Sequence, residues 1–295
     1  MEPIFLSKEH TIFSFDANTA PAYEIDAGSI LKIETSDEGY YLLSHGIPEE
    51  QLKKKTNPVT GPVYIRGARV GDVLSIEILA IEITRAWSVW LKNYGSLGDK
   101  TSETQVSEIP IRDNRLILSS RLCVPLDPMV GCIGVAPKKG IGSTVAPIGK
   151  WGGNMDLREL RVGTTILFPV FHPGALLSMG DLHAAMGTGE LCCMAIEAAG
   201  TVTVRVNVER NRKLEFPRLQ LNNATVCIGL GNKLEQAELK AIDQAYEVLT
   251  EELGLQPLEA FAYASSSLEL RLGGPASPIA LAYIPHPVFT DDAQK

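Results

Sequence analysis

An excess of basic charge, paired cysteines and long apolar runs are all missing from this sequence. Its 27 Lys and Arg stand against 35 Asp and Glu, leaving a net charge of −8. Surfaces for nucleic acid or anionic membranes draw on clustered Lys and Arg, so neither partner is expected. The one basic run, Lys53-Lys54-Lys55, reads as a solvated loop. The five cysteines (Cys123, Cys132, Cys192, Cys193 and Cys227) are odd in number and hold no C-x-x-C pair. Neither a disulfide framework nor a zinc knuckle fits them. Adjacent Cys192 and Cys193 would need a strained ring to bridge, and read as two reduced thiols on opposite faces of a strand. The opening MEPIFLSKEH has no basic segment leading into an apolar core, and no uninterrupted apolar stretch of about 18 residues occurs. The expectation is a soluble, cytoplasmic protein.

What is present is ample material for a core. At 295 residues, with 45% hydrophobic and 21% charged residues, the chain is neither disordered nor fibrous. Period-two alternation with β-branched residues marks strands at 10–15, 29–34 and, most cleanly, in TVTVRVNV at 201–208. A glycine turn leading into an alternating strand occurs three times, at Gly28, Gly71 and Gly163, which is the rhythm of a sandwich or jelly roll. Residues 36–56 and 92–110 read as connections, and Asn57-Pro58-Val59-Thr60-Gly61-Pro62 as a rigid loop. A helix is expected from Gln236 to Leu253, with Ala237, Ala241, Ile242, Ala245, Val248, Leu249 and Leu253 on one face and Gly254 as its cap. A second helix opens at Pro257 and ends at Ser265-Ser266-Ser267. The fold class is therefore mainly β with an α+β portion: a jelly-roll-like β-sandwich over 1–210 and a helix-containing C-terminal part over 211–295 packed on it.

Candidate chemistry gathers between Trp151 and Glu190. Asn154, Asp156, Asp181, His183 and Glu190 lie at two Gly-rich corners, where backbone can approach an ion or substrate closely. Asp181-x-His183 puts two metal-capable side chains on one face of an extended segment, and Glu190 can fold back across the turn at Gly187 and Gly189. One His with two or three carboxylates suits zinc; manganese, iron or, without the His, calcium remain open. The ordinary alternatives are a His183 bonded within its turn and an Asp156 capping a local one. His172, on the corner at Pro173-Gly174, is a further ligand or substrate-binding candidate. Glu197, in the otherwise apolar CMAIEAAG, faces solvent or joins the site. Cys132 reads as core, and Ser265–Ser267 as a helix end.

These residues sit in phrases that resemble the acetamidase/formamidase family: NPVTGPVYIRGARVGDVL at 57–74, GCIGVAP at 131–137, GKWGGNMDLREL at 149–160 and LFPVFHPGALLSMGDLHAAMGTGELCCMAIE at 167–197. They occur in the family's order, and the resemblance covers nearly the whole chain. It implies hydrolysis of a short aliphatic amide such as formamide or acetamide to carboxylate and ammonia by a homo-oligomer, a dimer or larger; joined to the metal-capable cluster, the expectation is a metal-dependent amidohydrolase. Asn154, Asp156, Asp181, His183 and Glu190 fall on the family's motif positions. Asp156, Asp181 and His183 are then the expected metal ligands, Glu190 a ligand or general base, and Asn154 an oxyanion donor. Two positions depart from the family's usual pattern. Thr188 replaces an acidic residue between two glycines, and Met186 replaces a frequent Gln, making the expected substrate wall more apolar. The alternatives are hydrolysis of another small C–N substrate and a non-catalytic jelly-roll binding module that keeps a cation.

Overall fold

The computed structural model describes residues 2–52 and 57–289. The Lys53-Lys54-Lys55 run lies outside them. Among the described residues, no helix is long and apolar enough to cross a membrane.

The protein is mainly β, as its alternation implies. Its centre is an antiparallel pair, Val73–Trp90 and Ile196–Glu209, paired from Ser88 opposite Ile196 to Val73 opposite Glu209 with register shifts at Ala199/Gly200 and Thr203/Val204. The alternating runs VLSIEILAIEI and TVTVRVNV bury every second residue, so Leu74, Ile76, Ile78, Val202, Val204 and Val206 enter one apolar core. From this pair the main sheet extends both ways. On one side lie Leu177–Ala185, Met129–Gly134 and Gly152–Asn154; on the other, Thr165–Pro169, Arg218–Gln220, Ala224–Leu230, Ile279–Pro285 and Glu269–Leu272. The three turn glycines, Gly28, Gly71 and Gly163, all have φ near 90° and lead into the strands Ile30–Glu34, Val73–Trp90 and Thr165–Pro169.

Four stretches differ from expectation. Residues 36–56 contain two short helices, α1 (Glu38–Ser44) and α2 (Glu49–Leu52). The 92–110 connection contains a strand, Gln105–Glu108. The Pro- and Gly-bearing segment after Asn57 is the strand Val59–Arg66 rather than a loop. Its ladder with Leu177–Ala185 is irregular between the Thr60 and Val63 pairings, and Pro62, which has no N–H to give, sits in that interruption. Cys192 and Cys193 lie in a turn with free thiols, not on a strand.

The C-terminal helices follow the pattern. Helix α3 (Leu234–Glu247) continues as a π-helical turn over Val248–Glu252 before Gly254, and α4 spans Pro257–Ser267. Ala237, Ala241, Ala245, Val248 and Leu249 pack on the Ala224–Leu230 and Ile279–Pro285 strands, whereas Ile242 and Leu253 stay exposed.

Candidate active site

Four neighbouring strands bring Met129, His183, Glu197 and Trp87 opposite one another in a single row. Residues paired in this way share a face of the sheet, so Glu197 belongs to the site rather than to solvent. Its burial is near complete, at 2% exposure. The row is roofed by α1. Asp37, immediately before that helix, accepts from Trp87 Nε1 at 2.9 Å and from Arg85 Nη2 at 2.7 Å. Three residues on, the Tyr40 hydroxyl donates to Glu197 Oε2 at 2.9 Å, and Ala195 N donates to Glu197 Oε1 at 3.0 Å.

The remaining acids arrive on unusual backbone. Asp156, Asp181 and Glu190 have φ of 46°, 57° and 39°. This left-handed region costs a residue with a side chain on the order of 1–3 kcal/mol. The surrounding structure holds all three there, and their carboxylates converge on one imidazole. His183 Nε2 lies 3.6 Å from Asp181 Oδ1, 3.9 Å from Asp156 Oδ1 and 3.5 Å from Glu197 Oε2. Asp156, Asp181 and His183 offer ligand atoms within 4.8 Å of one another, as do His183, Glu190 and Glu197.

Two glycines leave room for this convergence. A Cβ on Gly131 would stand 2.7 Å from Asp156 Oδ1 and 2.8 Å from Asp181 Oδ2. One on Gly274 would meet Asp156 Cβ at 2.4 Å. Real side-chain carbons do not approach that closely, so both positions are kept free of side chain to seat the carboxylates.

The electrostatics are those of an under-compensated cluster. Both carboxylate oxygens of Asp156 and His183 Nδ1 are buried without a hydrogen-bond partner. Burial, then the neighbouring charge of Glu190, pushes Asp156 well above the usual carboxylate range. Burial likewise raises Glu197 and lifts Glu190 to about 7. For His183 burial opposes the charged form, but Glu197, followed by Asp181 and Asp156, outweighs it and pushes the imidazole well above its ordinary value. The cluster thus calls for more positive charge than the chain's own groups place there. An oxygen-rich set with one imidazole, unpartnered carboxylate oxygens and glycine clearance fits a divalent cation.

Asp156, Asp181, His183, Glu190 and Glu197 lie at the foot of a cavity of about 320 Å³ that also exposes Asn57 and Asn154. Asn154 Oδ1 accepts from Asn57 Nδ2 at 2.5 Å, which leaves the Asn154 Nδ2 end to donate. Of the other sequence candidates, His172 Nε2 bonds the Pro137 carbonyl at 2.8 Å and Met186 is buried; neither lines this cavity. Thr188 lines a different cleft, beside Arg158, Arg161 and Arg271. Cys132 is core, its thiol 3.7 Å from the Thr144 carbonyl oxygen. Sequence reading left Glu197 open and missed Tyr40, Asn57, Gly131 and Gly274. Only Glu197, an acid in an apolar run, gave a local signal.

A mainly β scaffold thus buries four carboxylates around one histidine beside a small cavity. Residues 91–229 match the model of the Acetamidase/Formamidase family. The whole fold is similar to the crystal structure of an acetamidase from Bacillus halodurans, at 33% identity and a TM-score of 0.88, covering 96% of this chain and 97% of that one. It is similar also to that of a predicted acetamidase/formamidase from the thermophile Thermoanaerobacter tengcongensis, at 32% identity and a TM-score of 0.87, covering 96% and 95%. A Schizosaccharomyces pombe protein described as a candidate formamidase is 25% identical, over 64% of this chain and 62% of its own length. The chain therefore spans less than two thirds of that relative. The chain belongs to the acetamidase/formamidase family.

Proposed function

We propose that this protein hydrolyses the C–N bond of a linear amide of the formamide and acetamide kind, releasing ammonia and a carboxylate, at a divalent-metal centre for which zinc is the best match. The observation that carries the reading is the buried cluster of Asp156, Asp181, His183, Glu190 and Glu197, with unpartnered oxygens, at the foot of a cavity. Family membership supports it.

Asp156, Asp181 and His183 would hold the ion, with Glu190 beside them. When bound, it supplies positive charge that polarises an amide carbonyl and acidifies water. The protein's own groups supply the rest. Asn154 Nδ2 donates to the carbonyl oxygen, where negative charge develops as the carbon becomes tetrahedral. Glu190, raised to about 7 by burial, exchanges a proton readily at neutral pH, taking one from water and giving one to the leaving nitrogen. Glu197 stays fixed by Tyr40 and Ala195 N, with Oε2 3.5 Å from His183 Nε2, and adds negative charge on the side of the ring where the ion would sit.

The test is ammonia release from formamide and acetamide by purified protein, before and after chelation, with bound metal quantified on the same sample. Activity lost to a chelator and restored by one ion supports the reading and names the metal. Metal-replete protein that releases no ammonia from any linear amide overturns it in favour of a binding role.

A further inference from the structure

The cavity above the acidic cluster is too large and too apolar for formamide or acetamide to be the molecules it fits best. At about 30 Å³ per water-sized group, its 320 Å³ offers roughly ten such places, of which acetamide fills about three. Ser36, Asp37, Asn57, Asn154 and the carboxylates give it polar patches, but the larger part of its lining is apolar. Leu43, Val89, Leu91, Val145, Met194 and Ala276 contribute to that part. These come from separate parts of the chain: α1, the end of the Val73–Trp90 strand, and four connecting segments. Converging apolar side chains that leave such a volume unfilled would face water with a very small amide bound, a state disfavoured in proportion to the apolar area kept wet. A substrate with a polar head and an apolar tail removes that mismatch.

We infer that the preferred substrate is a primary amide whose acyl group is apolar and of roughly five to seven carbons, its amide head at Asn154 and the acidic cluster and its tail against Leu43, Val89, Leu91 and Met194. This rests on the amidase reading and adds the substrate class. The reaction is unchanged: water adds to the carbonyl carbon, the C–N bond breaks, and ammonia leaves with the proton that the water gave up. Tyr40 and Tyr94 also line the cavity, so a flat ring is accommodated as well as a straight chain. The tail acts through displaced water, and its benefit appears in kcat/KM at about three- to fivefold per added methylene until the cavity is full.

The experiment measures kcat/KM for ammonia release from formamide, acetamide, butyramide, hexanamide and benzamide by the metal-replete full chain. The expected result is a rise of at least tenfold from acetamide to hexanamide. A maximum at formamide or acetamide, with a decline along the series, overturns the inference and leaves the amidase reading intact. Ammonia from none of the five overturns both. Leu91→Trp, at a half-exposed position of the wall assigned to the tail, fills part of the tail region. It should narrow the hexanamide-to-acetamide ratio at least tenfold, and an unchanged ratio places the tail elsewhere and overturns the inference.

Discussion

Asp156 shows how far individual residues in this site are set against their own stability. It is 1% exposed, its backbone is left-handed, and neither carboxylate oxygen has a hydrogen-bond partner. Such arrangements persist where function needs them, and relieving them commonly stabilises a protein. Asp156→Asn keeps the shape, removes one acid from the cluster and adds an N–H that neighbouring carboxylates can accept. In chelated protein it should raise stability by about 1–2 kcal/mol while lowering bound metal. Thermal denaturation with metal analysis reads both, and a chelated variant no more stable than its parent defeats the argument. Gly131→Ala tests the opposite strain. Its new methyl would press on two carboxylate oxygens and on the Asp181 carbonyl 2.9 Å away. Overpacking of this kind costs about 1–3 kcal/mol, and displaced catalytic groups cost on the order of a hundredfold in rate. Activity within threefold of the parent would show that the carboxylates have room to move. Tyr40→Phe retains the ring and removes only the bond to Glu197. Hydrogen bonds to charged groups contribute about 1.5–3 kcal/mol to stability, so the melting temperature should fall by several degrees, and kcat/KM at least tenfold as Glu197 loses its anchor. An unchanged kcat/KM would mean that Tyr40 is not needed to position Glu197.

At the level of elements, the site depends on a short helix that has no strength of its own. Helix α1 has seven residues, none of them fully buried, too few to be stable in isolation. Asp37 ties it to the central strand through Trp87 and Arg85. Asp37→Ala would leave the buried Trp87 N–H without its acceptor and release the roof over the cavity. The expected cost is about 1–3 kcal/mol, with kcat/KM lowered at least tenfold, because the wall at Leu43 and the Tyr40 bond to Glu197 loosen together. An unchanged kcat/KM would confine Asp37 to a stabilising role. This helix also marks where sequence reading stopped. The long strands were legible because alternation repeats over many residues, as in TVTVRVNV. EGYYLLS is too short for a 3.6-residue period to emerge, so 36–56 reads as a connection. The Val59–Arg66 strand hid behind Gly61 and Pro62, residues that mark loops unless a ladder happens to be interrupted where they fall. The acidic cluster was visible in part, since Asp156, Asp181, His183 and Glu190 stand among glycines in one stretch. The contribution of Glu197 became definite only through its cross-strand pairing with His183, which no local pattern records.

For the whole molecule the question is whether the fold would need the ion proposed for the acidic cluster. The main core runs through Leu74, Ile76, Val202, Val204, Leu182 and their neighbours and is apolar throughout, and α3 and α4 close a second cluster against the far strands. Neither relies on the acidic site, so metal removal should leave the sheet intact. It should still lower stability, because a ligand that binds only the folded form contributes RT ln(1 + [L]/Kd), about 4 kcal/mol at a thousandfold excess over Kd. For chains of this size each kcal/mol shifts the melting temperature by roughly 2–4 °C. Chelated protein is therefore expected to melt about ten degrees lower than protein with excess metal, with the same far-ultraviolet circular dichroism before the transition. The shift should shrink to a few degrees in His183→Ala, which removes the group on which the carboxylates converge. A metal-dependent shift as large in His183→Ala as in the parent would place the stabilising ion at some other site. Loss of β signal on chelation would mean that the ion builds the sheet rather than occupying a site the sheet has already formed.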